Sequence, residues 1–100
     1  MLIYNVTVAV DKDIEPDWLA WMKQTHIPDV MNTGMFVSSK TYKIIGVEEG
    51  ESVSYAIQFI ANSLQEVDLY LKHHAPRLRQ HSQDKFGDKQ VAFRTLLEEV

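Results

Sequence analysis

A chain of 100 residues predicts a single domain, residues 1–100, and the absence of cysteine excludes disulfides, iron–sulfur clusters, thiolate metal sites and cysteine nucleophiles. The net charge is −4, and ten basic residues scattered among fourteen acidic ones do not provide the concentrated positive charge that nucleic-acid binding requires. The sequence begins without a basic segment and its apolar runs are too short to span a bilayer, so we expect a cytoplasmic protein with no membrane partner.

Residues 2–10 predict the first strand, because they are β-branched and aromatic and mostly alternate with smaller or polar residues. Successive side chains of a strand point to opposite faces of the sheet. One face carries Tyr4, Val6, Val8 and Val10, and the other carries Ile3, Asn5, Thr7 and Ala9. The first set is suited to a core, whereas the second is mixed.

A helix is predicted next, to about residue 26, with Pro16 in its first turn, where the missing N–H does no harm. An apolar stripe repeats along it at intervals of three and four residues. The stripe comprises Ile14, Trp18, Trp21, Met22 and Thr25. Pro28 is expected to break or kink this helix, and Gly34 suits a left-handed position after the following turn.

Two further strands, residues 36–45 and 52–61, are predicted on either side of an acidic hairpin loop bounded by Gly46 and Gly50. The alternation of the second of these strands divides its side chains between two faces. Val53, Tyr55, Ile57 and Phe59 lie on one face, and Ser54, Ala56, Gln58 and Ile60 lie on the other.

A capping box from Ser63 to Glu66 predicts the start of a second helix. Its buried stripe is predicted to comprise Leu64, Val67, Leu71, Ala75 and Leu78. Pro76 is expected to disturb this helix and Gly87 to end it. Residues 90–97 then predict a fourth strand.

The resulting order βαββαβ predicts an α+β, ferredoxin-like fold. Right-handed crossovers give a four-stranded antiparallel sheet of order 4-1-3-2 with two helices on one face. The opposite face is too apolar for a purely solvated surface and too polar for a dry core. We therefore expect a homodimer that covers this face, whereas a solvated face of an antiparallel sheet is the alternative. Phe93 and Arg94 lie on opposite faces of the fourth strand, so one of them joins this surface.

Several strings resemble a family of short bacterial proteins that is known as a domain of unknown function. They are Tyr4-Asn5-Val6-Thr7, Trp18 to Lys23, His26-Ile27-Pro28-Asp29-Val30, Gly34 and residues 92–99 (Ala-Phe-Arg-Thr-Leu-Leu-Glu-Glu). The resemblance covers essentially the whole chain and implies a ferredoxin-like dimeric α/β barrel with no established activity. The wider barrel group includes cofactor-independent monooxygenases, small isomerases, haem-modifying enzymes and binding proteins, which is an analogy at the level of fold.

His26 is the first candidate for chemistry, because it shares the inner side of the first helix and precedes Pro28. A histidine beside a carboxylate, here Asp29, can transfer protons near neutral pH. The alternative, which we favour, is that the His26 ring bonds a carbonyl freed at the proline.

Trp18 and Trp21 are interpreted as core and core edge, with an aromatic wall for a flat ligand as the alternative. His73, His74 and His81 do not predict a metal site. His74 and His81 would lie roughly 10 Å apart along an unbroken helix, too far to share one ion. We expect no metal and no cofactor.

Five polar residues are candidates to line the mixed sheet face and to bind a ligand there: Asn5, Thr7, Ser54, Gln58 and Arg94. Buried in a dimer, they would need partners, since an unpaired buried polar group costs about 1–3 kcal/mol. A ligand, water or the second subunit could supply those partners. The Arg94 guanidinium would favour a carboxylate ligand, or it could pair with an acidic residue of the second subunit.

Three functional hypotheses follow. The first is a dimer that binds a small molecule in a partly polar cavity, near the helices or inside the barrel. The second is a cofactor-independent oxygenase or isomerase that uses His26, oriented by Asp29. The third is an interaction protein without a ligand. Neither a nucleophile elbow nor a glycine-rich phosphate loop supports another chemistry.

Overall fold

The computed structural model of the chain describes residues 1–46 and 50–100, so residues 47–49 of the predicted hairpin loop lie outside the described residues. Strands and helices follow one another in the predicted order. They are β1 (Leu2–Asp11), α1 (Glu15–Trp21), α2 (Ile27–Met31), β2 (Ser38–Lys43), β3 (Ser52–Ala61), α3 (Leu64–His73), α4 (Ala75–Phe86) and β4 (Gln90–Glu98). β2 is shorter than predicted at both ends, and Phe36, just before it, is buried in the core.

The four strands form one antiparallel sheet in the order β2-β3-β1-β4, which is the predicted order read from the other edge. β1 pairs with both β3 and β4, so it is one of the two inner strands of the sheet, next to β3. The predicted faces are confirmed, since Tyr4, Val8, Ile57 and Phe59 pack into the core together with residues of both helical segments. On the opposite side of the sheet, which we call the open face, no helix of the described residues packs against the strands.

A π turn at Met22–His26 joins α1 to α2 without a break in helical backbone angles. The Ile27 N–H bonds to the Met22 carbonyl, five residues earlier. Pro28 explains this widening, because it has no N–H to continue the regular pattern. The predicted position of Thr25 in the apolar stripe is wrong: Thr25 is exposed, since the wider turn rotates the residues after Met22.

Pro76 interrupts the second helix as predicted, with His74 at φ −125° between α3 and α4. The predicted stripe is corrected at Leu64 and Leu71, which are exposed, whereas Tyr70 is buried. Tyr70 joins an aromatic cluster with Tyr4 and Phe36, at centroid distances of 5.7 and 5.0 Å. An aromatic ring buries a large apolar area, so the fold is stabilised more by burying Tyr70 than by burying Leu71.

Gly34 lies at φ +78°, as predicted for the end of the α2 turn. A side chain there would be strained even though a Cβ meets no atom within 4 Å. We expect Gly34→Ala to lower the free energy of unfolding by about 1 kcal/mol, since the left-handed region costs an alanine that much. Urea denaturation measures this difference, and an unchanged midpoint would contradict the backbone explanation.

Candidate functional site

A cavity of about 460 Å³ lies between the helix side of the sheet and α4. Its floor consists of apolar strand side chains that point toward the helices, because successive residues of a strand point to opposite faces of the sheet. The floor and the adjoining helix residues comprise Val6, Val8, Met22, Val30, Phe59 and Ala92. The polar lining comprises the buried Tyr4 and Tyr70, the partly buried His26, Ser82 and Gln90, and the exposed Arg79, Gln80, Gln83 and Arg94 at the mouth, with Pro76 beside them. The cavity therefore combines an apolar body with polar groups at its mouth.

Arg94 lies in this cavity and not on the open face, which corrects its predicted position. It pairs across the sheet with Val6, and directly opposite residues share a face. Phe93, paired with Thr7, takes the open face instead. β4 is an edge strand, so a charged side chain on its helix side can reach water at the cavity mouth, and Arg94 is exposed there.

Arg79 is a second cation at the cavity, and the sequence did not single it out as a site residue. Its Nη2 donates to the Tyr4 hydroxyl over 3.0 Å. Neither Arg79 nor Arg94 forms an ion pair with any described residue. The sequence pattern that indicates Arg79 is its spacing from Pro76 and Gln83. This spacing places the three residues on one side of α4, next to the buried Leu78.

Tyr70 contributes a neutral hydroxyl to the cavity wall. Its side chain is buried, and burial raises its pKa to about 12. It therefore stays protonated at any physiological pH and can act as a hydrogen-bond donor.

His26 lines the cavity and stacks on Trp21, with ring centroids 5.3 Å apart and an interplanar angle of 28°. Burial lowers the pKa of His26 from 6.5 to about 4; Asp29 opposes this change, and Arg94 adds to it. His26 is consequently neutral at pH 7. The predicted bond from its ring to a carbonyl at the proline is not formed among the described residues, and the stacking on Trp21 holds the ring instead.

Asp29 lies near enough to affect His26 electrostatically, but it lines a different pocket. Within the described part of the chain, no hydrogen bond or ion pair joins the two side chains. The structure therefore brings His26 together with Arg94 and Arg79 at one cavity and places Asp29 on the other flank of the helix.

Trp18 is completely buried and belongs to the core, as the first interpretation predicted. Its Nε1 donates to Oε1 of Gln90 over 2.9 Å. The Gln90 amide in turn donates to the carbonyl and the hydroxyl of Ser82, over 3.1 and 2.6 Å. Trp18 thus fixes a polar side chain of the cavity rim without lining the cavity.

Trp21 is partly buried between two rings. Its stacking on His26 is matched by an edge-on contact with Phe86, at 5.5 Å and 78°. Trp21 supports the position of His26 and is not among the residues that line the cavity.

The other predicted ligand-binding residues lie on the open face, across the sheet from the cavity. Cross-strand pairing places Asn5 between Gln58 and Thr95, and Ser54 and Thr7 lie on the same face. Asn5 donates to the Thr7 hydroxyl over 3.1 Å, whereas its own carbonyl oxygen is buried with no hydrogen-bond partner among residues 1–46 and 50–100. The predicted site residues therefore form two groups on opposite sides of one sheet.

No group of three or more histidine and carboxylate side chains within the described ranges is arranged to hold a metal ion. His73 is exposed, while His74 and His81 line the pocket that contains Asp29. Among the helices of residues 1–46 and 50–100, none is long and apolar enough to cross a membrane.

A family model described as "Domain of unknown function (DUF4286)" matches residues 1–100. No curated protein shows significant similarity to the sequence. Several solved structures share the architecture at low sequence identity.

The crystal structure of an ethyl tert-butyl ether D (EthD) family protein from Bacillus halodurans has a TM-score of 0.73 at 11% identity, and the alignment covers 100% of both chains. A protein from Arabidopsis thaliana has a TM-score of 0.65 at 16% identity, covering 98% of this chain and 97% of the other. A dimeric ferredoxin-like protein from an uncultured marine organism has a TM-score of 0.58 at 12% identity, covering 99% and 98%. These likenesses show the ferredoxin-like fold alone.

Proposed function

The chain belongs to the DUF4286 family, and from its site we propose that the protein is a homodimer whose protomers each bind a small carboxylate with an apolar body in the cavity beneath α4. One observation carries the proposal. The cavity joins an apolar floor to two arginines that form no ion pair with any described residue.

The two arginines favour an anionic ligand over a neutral one. A guanidinium is always charged and its fork matches the two oxygens of a carboxylate. Arg79 already bonds the Tyr4 hydroxyl, which orients it at the rim. Arg94 has no such partner among the described residues, so its donors are free to meet a ligand. Arg94 is therefore the principal carboxylate-binding residue in this proposal.

The apolar floor favours a ligand with a hydrophobic body. Val6, Val8 and Phe59 line the inner wall, and side chains of this kind gain from contact with hydrocarbon or aromatic groups removed from water. A volume of about 460 Å³ lies within the range of small-molecule sites. A carboxylate at the mouth and an apolar group against the sheet would use both halves of the cavity.

His26 supports a second candidate function, a cofactor-independent enzyme, because its neutral imidazole faces the cavity. A neutral imidazole can accept a proton, but a pKa of about 4 makes it a weak base at pH 7. A bound carboxylate would raise that pKa by stabilising the imidazolium. Turnover that is lost in a folded His26→Ala variant would favour the enzyme over the binding protein.

A comparison of benzoate with benzamide tests the binding proposal, because the two share an apolar ring and differ in charge. We expect benzoate to bind the cavity about tenfold more tightly, which is the effect of one charge-assisted hydrogen bond. Arg94→Gln should remove most of this preference, since only Arg79 remains, while benzamide binding is unchanged. NMR titration of the backbone amides measures both affinities and locates the site.

Lys72→Gln is the matched control, since it removes the same charge from an exposed position of α3 that does not line the cavity. It should leave the preference for benzoate intact. Chemical-shift changes confined to the open face, or equal loss of affinity in both variants, would contradict the proposal.

The open face supports the homodimer. It presents Phe93 and Val91, which are 62% and 65% exposed, on the same face as the buried Asn5 oxygen, which has no hydrogen-bond partner among the described residues. Large exposed apolar surface is typical of an interface, and a second copy can also supply the missing donor. The dimeric ferredoxin-like neighbour has the same fold, which supports this arrangement.

A further inference from the structure

A second pocket, of about 340 Å³, lies on the other flank of α4, where the helix faces the end of α2. It shares no lining residue with the carboxylate cavity. Its polar side chains are those of Asp29, Asn32, Thr33, His74, Arg77 and His81. We propose that this pocket binds a hydrogen phosphate group, with Arg77 and His74 as donors and Asp29 as the acceptor that recognises the phosphate proton.

The charge of this part of the chain favours an anion. The protein as a whole is acidic, with a net charge of −4, yet no carboxylate occurs between Asp68 and Asp84. That stretch instead holds Lys72, Arg77 and Arg79 together with three histidines. His74, Arg77 and His81 are three and four residues apart, so they lie on one side of the helical segment.

Arg77 is available to bind such a group. It is exposed at the pocket and forms no ion pair with a described residue. A guanidinium binds phosphate oxygens as well as carboxylate oxygens through its planar fork. It therefore supplies the main positive charge of the pocket.

His74 contributes a donor because of the way its ring is buried. Its Nδ1 is buried with no hydrogen-bond partner in the described part of the chain, and the ring packs against Tyr70 with a centroid distance of 6.3 Å. Because Nδ1 is buried, Nε2 is the ring nitrogen left to face the pocket that His74 lines, and an N–H on that nitrogen can donate to a bound anion.

Asp29 gives the pocket its selectivity. An ionised carboxylate can only accept hydrogen bonds, and it repels an anion that has no proton to offer. Phosphate at neutral pH keeps at least one hydroxyl group, whereas sulfate keeps none. A pocket that combines Arg77 with Asp29 thus accepts hydrogen phosphate and rejects sulfate, although the two ions have nearly the same size and shape.

Titration of the full chain with inorganic phosphate and with sulfate, followed by NMR of the backbone amides, tests this inference. We expect phosphate to shift residues around Arg77 and to bind at least about tenfold more tightly than sulfate. Asp29→Asn should bring the two affinities to within about twofold, because an amide can donate to either ion. Arg77→Gln should weaken both ions by about tenfold or more.

Lys72→Gln serves as the control, since it removes a charge from the same basic stretch without touching the pocket. It should retain the discrimination. Equal affinities for phosphate and sulfate in the unaltered protein, or shifts that map to Arg94 and not to Arg77, would overturn the inference without affecting the benzoate test. Methyl phosphate, compared with inorganic phosphate at about pH 5.5, where both ions carry a hydroxyl group, distinguishes the two sources of the group: equal or tighter binding assigns a phosphate ester, and weaker binding assigns the free ion.

Discussion

We expect the Phe93→Asp variant to be monomeric at protein concentrations where the unaltered chain is a dimer. Phe93 is 62% exposed on the open face of the protomer, so the substitution does not disturb the core. A twofold dimer contains the substitution twice, once in each protomer, and each copy would bury a carboxylate without a partner at the interface. The dissociation constant should rise at least about a thousandfold, which corresponds to roughly 4 kcal/mol. Sedimentation velocity and light scattering measure the change.

Leu69→Asp is the matched control for this variant. Leu69 is 39% exposed on α3, on the side of the sheet away from the open face. The same loss of an apolar side chain and gain of a carboxylate should leave the dimer intact. A monomeric unaltered protein at micromolar concentration would remove the homodimer from the proposed function, and a Phe93→Asp protein that stays dimeric would place the interface elsewhere.

Alternation is what made the fold predictable. The apolar residues of β1 and β3 recur at every second position, and a shift of one residue would expose the entire set. Gly34, Pro76 and Gly87 mark helix ends through backbone properties that do not depend on distant contacts. These features are local, so the element order and sheet order follow from them and from the handedness of crossovers.

The sequence-based predictions are wrong where the local pattern is compatible with two arrangements of an element. The alternation of β4 does not decide whether Phe93 or Arg94 faces the helices, because an edge strand has neither face fully covered. The Val6–Arg94 pairing decides it, and that register is a long-range property. The stripe of the second helix presents a similar choice between Leu71 and Tyr70, which the aromatic partners on the sheet resolve.

The candidate site was less predictable than the fold for the same reason. His26 was found because its position on the inner side of a helix is local information. Its separation from Asp29 depends on which flank of the helix each side chain takes, and the structure places the two at different pockets. Arg79 was overlooked as a site residue, since its significance depends on the distance between α4 and the sheet, and no sequence pattern specifies that distance.

One consequence of the register is that the two proposed surfaces can be tested independently. Phe93 and Arg94 are neighbours in sequence but face opposite sides of the sheet. We therefore regard the open face as the assembly surface and the helix side as the ligand surface. Because the Phe93 and Arg94 side chains point to opposite sides of the sheet, we expect the effect of Phe93→Asp on assembly and the effect of Arg94→Gln on ligand binding to be additive.

The pH dependence of stability should report on His26. The pKa of its imidazole is about 4 in the folded chain and 6.5 when unfolded, because burial disfavours the charged ring. Between these values the unfolded chain binds more protons, so the folded state loses stability as the pH falls. From pH 7 to about pH 4.5 this group alone should lower the free energy of unfolding by about 2.5 kcal/mol.

His26→Gln removes the titrating ring and should remove that part of the loss, whereas carboxylates that titrate in the same range act equally in both proteins. Urea denaturation at the two pH values and a fixed protein concentration gives the difference. His73→Gln is the control, since His73 is exposed and should leave the pH dependence of the unaltered chain in place. Saturating benzoate should also reduce the loss of stability at low pH, because a bound carboxylate beside His26 raises the pKa of the imidazole. An identical pH dependence in the His26→Gln protein would show that the ring is hydrated in the folded state, and the cavity would then lack the neutral imidazole on which the enzyme hypothesis depends.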